Sequence, residues 1–378
     1  MQPGLFIAST PLVALVAAAL ARARGLTGAL VLVEDFPDAA RWTRLLGGWS
    51  GNPFDQIVLV PGRATETRAT AGLAVSGPLA RLARERAKRG LRRDAFATLA
   101  RLDATLEPAV VYVGNDRRPE TQFALALAAR RRGAPCGAYL DDGLFTYVGD
   151  AHARPFARGV IDTALKKLAY GGWWEHATQA GTTRWITQAW LAWPELARDR
   201  DPAREQHALE RAWCTGRAWV RFARRAAREF GGGTRRPAHR LLLALPHTRV
   251  LGDAAAVLRA LPAALAARGA ACAMKYHPRE EQADPLGLEA AGARVLPAGL
   301  ALELLAARLP RGATVAGEAS TALAAARWLR PDLRVLDLGL SGHDFARRAA
   351  AFLARIGVEP LALSDADALA ARLAAVPA

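Results

Sequence analysis

Short apolar runs, each followed by a longer stretch of helical periodicity, recur along this chain and leave few folds open to it. In residues 1–150 the runs are Gly4–Ala8, Ala29–Val33, Gln56–Val60, Ala109–Val113 and Gly137–Leu140. Such brief runs, without polar alternation, belong to strands covered on both faces, as in parallel sheets. The segments between them read as helices. One runs from Pro11 to Arg24, capped by Thr10 with proline in its first turn. Another, strongly basic, covers Leu79–Leu102.

Residues 151–230 change character. They carry Trp173, Trp174, Trp185, Trp190, Trp193, Trp213 and Trp219, and read as mostly helical. Gly231-Gly232-Gly233-Thr234-Arg235-Arg236-Pro237 then breaks every periodicity and reads as a hinge or linker. Beyond it the alternation resumes, with strands expected at Leu241–Ala244, Ala271–Lys275, Arg294–Leu296, Thr314–Ala316 and Arg334–Leu338. A last helix follows, with Ser364 as its N-cap and Asp367 at the third helical position. The expected organisation is α/β throughout: a domain over 1–230 that includes the helical segment 151–230, a linker over 231–239, and a second domain over 240–378.

The chain has 378 residues, enough for two cores, and 52% hydrophobic residues exclude disorder as its main state. Cys136, Cys214 and Cys272 are odd in number and far apart, which fits neither a disulfide framework nor a structural zinc site. The formal net charge of +16 is almost all arginine, since lysine supplies only Lys88, Lys166, Lys167 and Lys275. Together with the abundance of alanine, that pattern reflects a GC-rich coding bias as well as charge. The excess still attracts nucleic acid, anionic membranes and anionic substrates, and composition does not separate the three. The N-terminal apolar stretch lacks a basic leader and is interrupted by Pro11, so it reads as strand and helix rather than a signal peptide. No run reaches the length of a membrane span. A cytoplasmic chain is expected, soluble or held peripherally at the inner face of the cytoplasmic membrane.

Open α/β sheets bind ligands at the carboxyl ends of their strands, so the residues that follow each strand matter most. Asp141-Asp142-Gly143 follows Gly137–Leu140. Adjacent acids at a strand end point different ways: one serves as a base while the other bonds the turn that Gly143 permits, or both belong to an ordinary Asp-Gly turn. The spacing does not suit a metal, and no second acid cluster supports one. Lys275-Tyr276-His277-Pro278-Arg279 combines an imidazole on an extended backbone with flanking cations, which suits an anion or a leaving phosphate. Gly317-Glu318-Ala319-Ser320-Thr321 opens a helix with hydroxyls and free N–H groups, either an anion site or a plain serine cap. Glu303, in an apolar helix start, is placed either to accept ribose hydroxyls or simply to be solvated.

In this order, these residues resemble the bacterial GT-B sialyltransferases, which carry a D/E-D/E-G motif in the first domain and HP and S-S/T motifs in the second. The counterparts are Asp141-Asp142-Gly143, His277-Pro278 and Ser320-Thr321. Ser9-Thr10-Pro11-Leu12 and Thr163–Gly171 are similar to segments of the lipooligosaccharide sialyltransferases and capsular polysialyltransferases. The resemblance implies two Rossmann-like domains facing across a cleft, with acceptor on the first and a CMP-activated acid sugar on the second. It implies an inverting transfer with no metal or other cofactor, to a glycan or glycolipid acceptor of lipooligosaccharide or capsule. Asp141 would be the general base and Asp142 would support the loop. His277 would stabilise or protonate the departing phosphate, Ser320 and Thr321 would bind it, and Glu303 would hold the ribose. Thr10, Gly143, Lys275, Pro278 and Gly317 complete the expected site. Kdo and other nonulosonates share the same CMP chemistry, so the donor sugar stays open.

The tryptophan-rich stretch has two readings, a surface against an anionic membrane or the core of a helical insert. The row Arg81, Arg84, Arg86, Lys88, Arg89, Arg92 and Arg93 reads as a solvated face or a glycan contact. A basic nucleic-acid-binding protein is the alternative from another class. No zinc-finger or RRM signature supports it, and the strand-end motifs would then have no task, so no nucleic acid is expected as partner.

Overall fold

The computed structural model describes residues 3–73, 77–149, 163–164, 166–177, 179–198, 201, 203–231, 239–340, 344–362 and 365–375. The chain forms two compact units, Met1–Trp213 and Cys214–Ala378. In the first, seven strands lie in the order β3-β2-β1-β4-β5-β6-β7. They are β1 (Gly4–Ala8), β2 (Gly28–Val33), β3 (Gln56–Val60), β4 (Val110–Val113), β5 (Gly137–Leu140), β6 (Ile186–Leu191) and β7 (Glu205–Ala208). In the second, β8 (Leu241–Ala244), β9 (Cys272–Lys275), β10 (Arg294–Leu296), β11 (Thr314–Gly317), β12 (Arg334–Asp337) and β13 (Glu359–Pro360) lie in the order β10-β9-β8-β11-β12-β13. Every pairing is parallel.

Burial follows from that topology. Every residue of β1, β2, β8 and β11 is buried, as central parallel strands require, while β3 and β7 at the edges are partly exposed. Leu5, Leu30, Leu32, Leu242 and Leu243 are fully inaccessible, and each such side chain contributes about 1.5–3 kcal/mol by leaving water. The first helix, Pro11–Arg24, begins where proline costs nothing and stops at Gly25, whose φ of 63° is a left-handed cap.

Four expectations change. Among the described residues the stretch 151–230 is not mainly helical: Ile186–Leu191 and Glu205–Ala208 extend the first sheet as β6 and β7. The β-branched and aromatic side chains of ITQAWL pack in a strand, and Trp190 stacks on His207 of the neighbouring strand at 4.4 Å between ring centroids. The helix Arg217–Glu229 falls in the second unit, because its apolar face, with Trp219, Phe222 and Ala226, packs beside the helix Leu302–Ala306. The units therefore divide after Trp213, upstream of the expected linker, of which residues 232–238 lie outside the described residues. At the last helix, Ala366–Ala374, Asp365 is the cap and accepts the Ala368 N–H at 2.8 Å. Ser364 lies outside the described residues, as does Leu165 of the segment 163–171.

Half of the ten tryptophans are buried and the rest are partly exposed. Trp174, Trp190 and Trp219 are buried, and Trp173 sits edge-on to Phe96 and Phe123. Trp173 and Trp174 follow a turn rather than share a helix, which lets both pack inward. Among the described residues no helix is long and apolar enough to cross a membrane.

Candidate functional site

In each sheet the strand order reverses at one point, between β1 and β4 in the first and between β8 and β11 in the second. Loops that leave neighbouring strands in opposite directions open a crevice there, at the strands' carboxyl ends.

In the first unit the crevice is bordered by Ser9-Thr10 after β1, 114–118 after β4 and Asp141-Asp142-Gly143 after β5. The two aspartates do different work. Asp141 is buried and its carboxylate is saturated: it accepts the Gly143 N–H at 2.8 Å, the Ala192 N–H at 2.9 Å and the Tyr147 hydroxyl. Burial raises its pKa, and those hydrogen bonds oppose the rise. The bond to Gly143 closes the turn, and Gly143, at φ 85°, adopts a conformation only glycine enters cheaply. Tyr147 in turn accepts the Trp193 N–H at 3.2 Å, so Asp141 ties the loop after β5 to the loop after β6.

Asp142 is the carboxylate left to act. It is half-buried, and Thr10 Oγ1 donates to its Oδ1 at 3.1 Å. The same hydroxyl accepts the Val13 N–H at 3.2 Å as the helix cap, which aims its single proton at Asp142. Burial raises the pKa of Asp142 to about 7, with the Thr10 bond opposing and the neighbouring Asp141 adding to the rise. In this geometry the Asp141 carboxylate is taken up by the loop, while that of Asp142 accepts one side-chain hydrogen bond, from Thr10.

Two features of this rim were not read from the sequence. Asp116, fully buried, accepts the N–H groups of Gly181 and Thr183 at 2.7 and 2.9 Å, anchoring a distant loop against the one after β4. Arg118 is buried between Asp35, with which it pairs, and Glu120 at 3.1 Å, so the loops after β2 and β4 are tied across the end of β1. Neither has a local pattern, because the partners lie far apart in the chain.

In the second unit, His277 follows β9. Its Nδ1 accepts the Arg279 N–H at 3.2 Å, so its Nε2 carries the proton and is a donor. Burial first, then Arg279, Lys275 and His247, lower its pKa to about 4, with Glu280 opposing them. His277 is thus a neutral hydrogen-bond donor at pH 7. Pro278 is exposed and holds the extended backbone behind it.

Lys275 joins two loops. It is buried, and its ammonium donates to the carbonyls of Tyr276 and Ala298 at 3.2 and 3.0 Å, joining the loops after β9 and β10. Burial lowers its pKa to about 8, with Glu303 acting in the opposite sense. Glu303 is itself buried on the helix Leu302–Ala306, and burial raises its pKa. These two groups sustain one another inside the domain, and the carboxylate is not simply solvated.

After β11, Gly317 packs so closely on β8 that a Cβ there would overlap the Ala244 carbonyl oxygen. Ser320 is the N-cap residue of the helix Thr321–Leu329, but its hydroxyl makes no capping bond. Asp337, at the end of β12, accepts the Gly339 N–H at 3.2 Å and a bond from the Ala319 backbone, which fixes this turn. Ser320 and Thr321 therefore stand on a held loop at the switch point, with the hydroxyl of Ser320 not spent on its own helix.

The sequence also gave no notice of the loop after β8, Leu245 to Val250. His247, Thr248 and Glu280 line a pocket of about 210 Å³ there, and the His247 and His277 rings lie 6.0 Å apart. Among the described residues no group of three or more His, Cys, Asp or Glu is arranged to hold a metal.

No protein-family model matches the chain, and no curated protein matches it in sequence. Solved structures do match. Arabidopsis thaliana UGT89C1 complexed with UDP is 12% identical, with 99% of this chain and 90% of that one covered at a TM-score of 0.52. Phytolacca americana UGT2, complexed with UDP-2-fluoro-glucose and pterostilbene, is 12% identical over 98% of this chain and 89% of that one, at a TM-score of 0.50. The likeness is one of fold. Two parallel Rossmann-like sheets of seven and six strands make this a GT-B chain, as expected.

Proposed function

We propose that the chain is an inverting, metal-independent glycosyltransferase that moves an acid sugar from a CMP-activated donor to a glycan or glycolipid acceptor. The observation that carries this reading is Asp142, a carboxylate at a sheet's switch point with a proton affinity near neutrality and a hydroxyl aimed at it. A structural aspartate in an Asp-Gly turn has no need of either.

In this scheme Asp142 takes the proton of an acceptor hydroxyl as that oxygen bonds the anomeric carbon. The carbon–oxygen bond to the nucleotide phosphate breaks with its electron pair, and configuration inverts. The phosphate leaves into hydrogen bonds from His277 Nε2, from the Ser320 and Thr321 hydroxyls and from the helix N–H groups behind them. Donors already in place where charge develops need no reorganisation during the step. Asp141, Tyr147 and Asp337 hold these loops.

CMP, rather than another nucleotide, is supported by the order of the Asp-Asp-Gly, His-Pro and Ser-Thr motifs at strand ends. Sialic acid, Kdo and other nonulosonates all fit that chemistry. A uridine donor is the second reading, because the two structural neighbours were solved with UDP and with UDP-2-fluoro-glucose. Titration calorimetry with CMP, UMP, UDP and GDP tests both. Selective CMP binding supports the first reading, UDP preference the second, and binding of RNA alone would sink both.

A further inference from the structure

We infer that His247, oriented by Glu280, is a second imidazole at the nucleotide phosphate, paired with His277. This rests on the nucleotide-sugar reading above and extends it to a loop that carries none of the recognised motifs.

Position comes first. β8 lies between β9 and β11, so the loop after β8 lies between the one that carries His277 and the one that carries Ser320. It is the central loop of the second unit's switch point, where a ligand's phosphate is expected.

Construction comes second. His247-Thr248-Arg249 and His277-Pro278-Arg279 repeat one device: in each, Nδ1 accepts the N–H two residues on, at 3.3 and 3.2 Å. Both rings thereby present Nε2 as an N–H donor, and their centroids are 6.0 Å apart. Two such donors on adjacent loops suit two oxygens of one phosphate.

The partners of the two rings differ. Glu280 Oε2 lies 3.4 Å from His247 Nδ1, and this carboxylate is itself fixed by the Thr248 N–H at 3.0 Å and the Thr248 hydroxyl at 2.7 Å. Beside His277 lie the cations Arg279 and Lys275, with the Glu280 carboxylate opposing them. An arriving phosphate therefore meets two imidazole N–H donors, His247 on a loop that Glu280 fixes through Thr248 and His277 on the loop beside it. Glu280 is a positioning residue, acting through His247.

Calorimetry on the full chain at pH 7, with cytidine and CMP and with uridine and UMP alongside, tests this. The wild type should bind the nucleotide more tightly than its nucleoside. His247→Ala should weaken the nucleotide about tenfold, or about 1.4 kcal/mol, and leave the nucleoside unchanged. Glu280→Gln should narrow the same gap about threefold. Equal weakening of nucleoside and nucleotide, or an unchanged gap in His247→Ala, overturns the inference and leaves the transferase reading standing. Failure of the wild type to bind any of the four removes the transferase reading, and this inference with it.

Discussion

Thr10 donates a 3.1 Å hydrogen bond to Asp142 while capping its own helix through Val13, so the first helix of the chain aims the carboxylate that follows the fifth strand. The hydroxyl has one proton and spends it on Asp142. A site assembled this way responds to small changes at either residue. Thr10→Val, which keeps the shape and removes the donor, should raise the pKa of Asp142 above about 7 and shift the pH–rate profile alkaline. An unmoved profile would detach Thr10 from the base.

Asp142 sets activity and stability against each other. Its folded pKa, about 7, lies above the ordinary 3.8 of the unfolded chain. The native state thus binds the proton more tightly, and stability from this group falls as pH rises from about 4 through 7. Asp142→Asn should raise stability at pH 8 by about 1–3 kcal/mol, change it little at pH 4, and cost at least about a hundredfold in kcat. Chemical denaturation at the two pH values measures the first two effects. In the wild type, kcat/KM should rise with pH through about 7 as the base ionises.

Asp141 should behave in the opposite way. Asp141→Ala strands the Gly143 and Ala192 N–H groups and the Tyr147 hydroxyl in a buried place, at a cost of about 2–4 kcal/mol. Its activity loss should come with a lower Tm, whereas that of Asp142→Asn should not. Equal melting temperatures for wild type and Asp141→Ala would contradict the loop-holding role.

For His277 the distinction is between donor and acid. With its pKa at about 4, the ring is neutral across the working range. His277→Ala should lose about 10–100-fold in kcat, and His277→Asn, which restores an N–H donor without an acid, should recover part of it. An asparagine variant as slow as the alanine one would point to proton transfer instead.

Gly317→Ala places a methyl against the Ala244 carbonyl oxygen on the neighbouring strand. It should destabilise the chain by about 2–4 kcal/mol. Gly72→Ala, with open space around it, should be close to neutral by the same measurement.

The strands with uninterrupted apolar runs were legible, and so were the motifs that follow them, because both are local. What stayed hidden was long-range. Which aspartate of Asp141-Asp142 closes the turn depends on Tyr147 and Ala192, and the second of these arrives with β6. β6 itself was obscured by Trp190 and the tryptophans on either side of the strand, which suit a strand or a buried helix equally. Asp116 looks like one more loop acid until the Gly181 and Thr183 amides close on it. His247 sits in an unremarkable Pro-His-Thr triplet, and only the strand order shows that its loop lies between the two recognised motifs. The carbonyls of Tyr276 and Ala298 that accept from Lys275 were hidden for a related reason, since the second of them arrives only with the loop after β10.

The strand order has a last consequence, in time rather than space. Each crevice opens beside a pairing of strands distant in sequence, Gly4 with Val110 in one unit and Leu241 with Thr314 in the other. Closing such loops costs entropy before any contact repays it, so these pairings form late. β1 and β8 wait for partners that emerge from the ribosome long after them, and the binding loops beside them are unfinished until then. Nucleotide binding during refolding therefore reports completion of the second sheet, and it should lag behind the collapse of the helices around it.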